Sequence, residues 1–210
     1  MAYQQVTAPT VEPLLLAEVK THLREDLVDT ANDALISFLI TAVRQFAENE
    51  TNRSFITQSW KYVFDSFPGI GLMGTPWGSV YSQPGNALML EKGPIQSIDS
   101  IQYLDMTGTM QTVAASVYTS DLTGDLARLA PKFGQIWPIP LPQMAACQVN
   151  FTAGYGVAAA SVPEGLRQWM KLRIASLYEN REEFVIGRGL VVAKSPNFDG
   201  LLDRFTIRSA

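Results

Sequence analysis

The sequence predicts an α+β protein: N-terminal helices and a long C-terminal helix packed with an antiparallel strand meander, plus extended terminal arms. Three observations predict it. Apolar residues recur at helical spacing over 33–49 and again over 164–183. Between 58 and 152 the period changes to two, in short runs separated by turn residues. Of 210 residues, 47% are hydrophobic and 17% charged, which supplies a sizeable core and argues against a disordered chain.

In chain order, residues 1–15 are punctuated by Pro9 and Pro13 and read as an arm. A short helix is expected over Ala17–Arg24, then a break at Asp29–Asn32 that caps a longer helix over Asp33–Asn49. In that helix Leu35, Leu39, Val43 and Phe46 form one stripe, flanked by Ile36, Phe38, Ile40 and Ala47. Strands begin at Gln58, where Trp60, Tyr62 and Phe64 alternate with Lys61 and Val63. Further strands are expected at Ala87–Leu90, Ile98–Leu104, Thr109–Val113, Val117–Thr119, Leu126–Leu129 and Gln148–Thr152. Asp105–Gly108 reads as a hairpin turn, because glycine supplies the positive φ it needs. Pro138, Pro140 and Pro142 stiffen a connection, and Pro163 opens the second long helix. The expected organisation is an arm at 1–15, a core domain at 16–184 with a long loop at 68–86, and a C-terminal arm at 185–210.

Composition and motifs exclude most chemistry. The formal charge is −4 and the pI near 5.0, against the basic balance of a protein that grips DNA. The N-terminus lacks a signal-peptide pattern, and no run is apolar enough for a membrane span, so a soluble protein made in a cytoplasm is expected. The one cysteine, Cys147, sits in an apolar run and reads as a buried strand residue. The one histidine, His22, lacks the partners of a metal site or a triad. Gly69–Gly74 matches the dinucleotide pattern, but Pro76, Gly78 and Pro84 forbid the helix that must follow it. Trp77 and Trp137 offer stacking platforms for a carbohydrate or small molecule, without an accompanying catalytic pair. No catalytic, cofactor-binding or metal residue is expected, and the protein is read as not an enzyme.

What remains is surface. Both long helices carry apolar residues beyond one stripe, so Ile36, Ile40, Trp169, Leu172 and Arg173 are expected at an interface with further copies of the chain. The Gly-rich loop carries Leu72, Met73, Trp77 and Tyr81, suited to contact with another protein. The C-terminal segment carries Phe184, Leu190, Val191, Phe198 and Phe205 as anchors for a partner.

A series of short signals runs from about residue 14 to 183. It includes Leu16–Arg24, Asp33–Ile36, Ala42–Arg44, Thr51–Ser54, Gln58–Trp60, Phe67–Pro68, Gly93–Ile95, Tyr103–Asp105, Trp137–Pro138, Phe151–Gly156 and Tyr178–Glu182. In order and spacing it resembles the head–tail connector (adaptor) family of tailed phages, described as gp6-like or phiE125 gp8-like. The resemblance implies a structural subunit of a virion neck at the capsid vertex. It implies a homo-oligomeric ring beneath the portal protein, a C-terminal segment docked on the portal, and stopper or tail-completion proteins on the other side. DNA would pass through without specific binding, and an acidic or neutral lumen suits that passage, since a basic one would hold phosphates. The alternative reading is a tail-completion or other neck protein. Leu15 stands where the family has a Ser or Thr helix cap, and the loop at 68–86 is longer than the family's.

Overall fold

A computed structural model describes residues 2–68, 87–180 and 200–207. It is α+β, as the block pattern predicts. The expected single core of 16–184 is instead two compact units: Met1–Ala8 with Thr57–Gly154, and Pro9–Ile56 with Tyr155–Arg208. Each has its own hydrophobic cluster.

Among its described residues, the first unit is all β. A five-stranded antiparallel sheet has the order β1 (Ala2–Thr7), β2 (Gln58–Phe64), β8 (Cys147–Ala153), β4 (Ile95–Leu104), β5 (Met110–Thr112). A three-stranded sheet has the order β3 (Leu88–Leu90), β7 (Ala127–Pro131), β6 (Tyr118–Asp121). The central strand β8 alternates strictly. Cys147, Val149, Phe151 and Ala153 are buried, while Gln148, Asn150 and Thr152 lie on the other face. That second face is tied by amides: Gln148 Nε2 donates to Gln102 Oε1 at 2.6 Å and Asn150 Nδ2 to Ser100 Oγ at 2.9 Å. Strand β4 starts three residues earlier than the alternation suggests. Register shifts at Ile95/Ser97 and Ile98/Ser100 break the period of two there. The turn at Asp105–Gly108 forms as expected, with Gly108 at φ 81° and its N–H donating to the Asp105 carbonyl at 2.9 Å.

The beginning of the expected N-terminal arm is a strand. Ala2–Thr7 pairs along β2, and Tyr3 stacks on Tyr62 with ring centroids 4.6 Å apart. Its proline-free run extends an open edge, and backbone pairing captures it. Trp137 is buried, stacked on Phe67 at 4.8 Å, so it offers no platform to a ligand.

The second unit is helical: α1 (Leu16–Leu23), α2 (Asp33–Thr51), a 3₁₀ turn (Ala159–Ser161), α3 (Glu164–Glu179) and α4 (Gly200–Asp203). Leu15 occupies the N-cap of α1 and makes no side-chain cap bond. Arg24 and Asn52, both left-handed, end α1 and α2. The core joins Leu14, Val19, Ile36, Ile40, Val43, Phe55, Leu166, Trp169, Met170 and Ile174.

Candidate interaction surface

The buried face of α2 is turned by roughly a quarter of a turn from the expected stripe, at 3.6 residues per turn. Ile36, Leu39, Ile40, Val43 and Ala47 are inside, with Arg44, Glu48 and Thr51. Leu35, Phe38 and Phe46 are outside, Phe38 being 66% exposed. The physical reason lies in two charged residues that a hydropathy pattern assigns to water. Arg44 donates from Nε to Glu12 Oε2 at 2.7 Å and from Nη1 to Glu48 Oε2 at 2.8 Å. Glu48 Oε1 accepts the Phe55 N–H at 2.7 Å. Burial works against the charged guanidinium, but Glu12 and Glu48 outweigh it and push the Arg44 pKa above its ordinary value.

Three expected interface residues are therefore core residues. Ile36 is 0%, Ile40 3% and Trp169 1% exposed within the single chain, which leaves no surface to offer a partner. Leu172 and Arg173 are half-buried. The Arg173 guanidinium carbon lies 5.9 Å from the Phe46 ring centroid, and Phe46 stacks on Trp169 at 6.1 Å. With Arg44 and Glu48 turned inward, α2 shows solvent Ala34, Leu35, Ser37, Phe38, Gln45, Phe46 and Asn49, with Glu50 at its end. Glu50 is the one charged residue among these. Interface cores are depleted of charge and enriched in aromatics, whereas a solvated helix face is charged.

Two further features flank α1. The buried Lys20 donates to the Leu27 carbonyl at 3.3 Å, to Asp33 Oδ1 at 2.8 Å and to the Asp29 carbonyl. These bonds hold the 24–32 turn, on which Leu27 and Val28 stand exposed, Val28 to 85%. At the other end of α1, a groove of about 560 Å³ lies among Val11, Glu12, Leu14, Leu15 and Leu16, Ser37, Ile40 and Thr41 of α2, and Val157–Ala159.

An ion cluster joins α1 to α3. Arg167 donates to both Glu18 oxygens at 2.8 and 2.9 Å and to the Pro13 carbonyl at 3.2 Å, and Lys171 reaches Glu18 at 2.7 Å. Burial alone would raise the Glu18 pKa, but Lys171 and Arg167 together hold it below its usual value.

Of the expected C-terminal anchors, Phe205 packs on its own unit. Its ring lies 3.1 Å from where a Cβ would stand on Gly165, and its carbonyl accepts a bond from Arg53 Nε. Leu202 and Ile207 are buried, and the Ile207 N–H donates to Thr51 O at 2.9 Å. Phe184, Leu190, Val191 and Phe198 lie outside the described residues, as do the loop residues Leu72, Met73, Trp77 and Tyr81.

Reactive chemistry is sparse among the described residues. Burial, then the Asp65 carboxylate, push the Cys147 thiol up to about 12, far from a working thiolate. His22 is exposed. Among the described residues, no three His, Cys, Asp or Glu side chains gather to hold a metal ion, and no helix is long and apolar enough to cross a membrane.

No protein-family model matches the chain, and no curated protein does. Solved structures do match, along the whole chain. A chain in the neck of an empty gene transfer agent particle, with C6 symmetry, has a TM-score of 0.75 at 21% identity. A chain in the virion of the native particle has 0.76 at 22%, and one in the native neck, with C12 symmetry, has 0.68 at 20%. Each match covers 100% of this chain and 97% of the other. The fold is that of gene transfer agent neck and virion chains.

Proposed function

We propose that the chain is a structural head–tail connector of a tailed phage or a phage-like particle. In this reading it is an adaptor subunit in the virion neck, forms a ring below the portal around the DNA channel, and links capsid to stopper and tail. The observation that carries this is the end-to-end likeness in fold to neck chains, covering 100% of this sequence and 97% of theirs. Independent support comes from the exposed residues of α2, which are uncharged apart from Glu50 at its end and suit burial in an assembly. The connector-family resemblance, over residues 14–183, points the same way.

The helix surface available for ring contacts is Leu35, Phe38, Phe46 and the half-buried Leu172 and Arg173. The acidic balance, with pI near 5.0, suits a channel through which DNA slides. From the arm read at 185–210, whose Leu202, Phe205 and Ile207 pack on their own unit, and from the loop read at 68–86 we take our candidates for contact with the portal and with the next neck protein. The role involves no catalysis and no cofactor.

Electron microscopy of the purified chain, alone and mixed with the portal protein of the same particle, tests the reading. Rings stacked coaxially on the portal are expected. A chain that stays monomeric and unbound in both samples refutes it.

A further inference from the structure

We propose that Arg173, held over the Phe46 ring on the outer side of α2 and α3, takes a carboxylate of a second copy when that copy covers the face. This rests on the ring reading above and adds the charged contact by which one copy recognises the next.

Arg173 differs from the other buried and half-buried cations of the helical unit. Lys20 pairs with Asp33, Arg44 with Glu12 and Glu48, and Arg167 and Lys171 with Glu18. Arg53 donates to the Phe205 carbonyl. Arg173 is half-buried too, yet among the described residues no carboxylate or carbonyl answers it. It lies instead over an aromatic ring, its guanidinium carbon 5.9 Å from the Phe46 centroid. Phe46 in turn stacks on the buried Trp169, the two rings 6° from parallel, so the cation rests on a support fixed in the core.

A guanidinium over a ring keeps its in-plane N–H groups free, and these match the two oxygens of a carboxylate. Arginine is weakly hydrated for a cation, so a partner displaces its water at low cost. The helices that carry the site are apolar outside: Leu35, Phe38 and Phe46 of α2 and Leu177 of α3 are exposed. A partner that covers Phe46 also covers the guanidinium beside it. Apolar groups alone would leave that charge buried and unpaired. The partner must therefore bring an acceptor, and a carboxylate both accepts the bonds and cancels the charge.

Charge favours a second copy as that partner. The chain carries 20 acidic side chains against 16 basic ones. Among the described residues of the helical unit, Glu50, Glu179 and Asp203 stand exposed with no cation on them. A neighbouring copy thus meets Arg173 with carboxylates that nothing in its own fold engages. Duplex DNA is the other anion of the ring reading. A phosphate backbone is held by several cations together. Arg167 and Lys171, the cations nearest to Arg173 along α3, are already engaged by Glu18, which leaves a lone guanidinium among aromatic rings.

The test uses the full chain. Arg173→Glu should keep the melting temperature of the wild type and lose the ring species in light scattering, because the facing carboxylate is then repelled. Should it melt lower, the uncharged Arg173→Gln takes its place. Arg173→Lys keeps the charge and supplies an amine, so a zero-length carbodiimide should join residue 173 to an Asp or Glu. In a mixture of isotopically light and heavy chains, that bond should link light to heavy. Rings that form normally without the positive charge overturn the contact and leave the ring reading standing. Loss of DNA retention by those rings would assign Arg173 to phosphate instead. A crosslink from residue 173 confined to one chain, or none from rings of Arg173→Lys, also overturns the contact. A wild type that is monomeric with and without the portal overturns both.

Discussion

Arg44 and Glu48 are the residues that set which way α2 faces. A buried ion pair costs desolvation on both sides, and Glu12 and the Phe55 amide help offset it by adding bonds to Arg44 and Glu48. Arg44→Met should therefore cost about 3–5 kcal/mol by taking the guanidinium away from the buried Glu48 carboxylate. Adding Glu48→Gln should recover part of this, because Gln still accepts from Phe55. Chemical denaturation of the two variants measures the difference, and equal losses would contradict the account. Glu18 gives a pH dependence. Its folded pKa lies below the ordinary 4.5, so its contribution is present above the unfolded value and is lost as pH falls through the folded one. Glu18→Gln should lower the melting temperature at neutral pH and flatten its decline in acid below pH 4.5. Cys147, buried with its thiol pushed up to about 12, should resist thiol reagents in the folded chain and react fully in denaturant. Rapid labelling of the native protein would show that the sheet opens at the start of β8.

At the scale of elements, the two faces of α2 separate core from surface. Ile36→Asp puts a charge into a site with no exposure and should unfold the helical unit. Phe38→Asp on the outer face should change stability by under about 0.5 kcal/mol and impair ring assembly. Melting curves read beside light scattering distinguish the two. A Phe38→Asp variant that assembles normally would remove this face from the interface. The elements were legible unevenly. The strict alternation of β8 and the glycine turn after β4 can be read directly from the letters. The start of β4 is hidden by two register shifts, and β1 by the fact that an isolated edge strand has little pattern of its own. The α2 stripe misled because pairing can bring charge inside, and hydropathy carries no record of pairing.

At the scale of the molecule, the chain passes between two compact units at 8/9, 56/57 and 154/155. The last described residues return to the helical unit: Leu202 and Ile207 are buried, and Phe205 fills the space Gly165 leaves. Deleting 200–210 should therefore lower the melting temperature of the helical unit as well as any contact the C-terminus makes. Unchanged melting would show that the end of the chain only leans on the unit. Gly165→Ala probes the same packing more gently, and a loss near 1 kcal/mol or more is expected if the Phe205 ring has no room to shift.

The sequence by itself determined the α+β class, the long helices, most strands and the absence of a motif for chemistry, because these depend on local period and composition. It also carried the connector resemblance, through the order of many short signals. Only the tertiary structure decided which apolar residues are core and which are surface. Ile36, Ile40 and Trp169 differ from Leu35, Phe38 and Phe46 not in hydrophobicity but in what packs against them. The same holds for the Leu27–Val28 turn, which nothing apolar in the sequence periodicity singles out. It is held by Lys20, whose ammonium reaches across the turn only once α1 and α2 have been brought together.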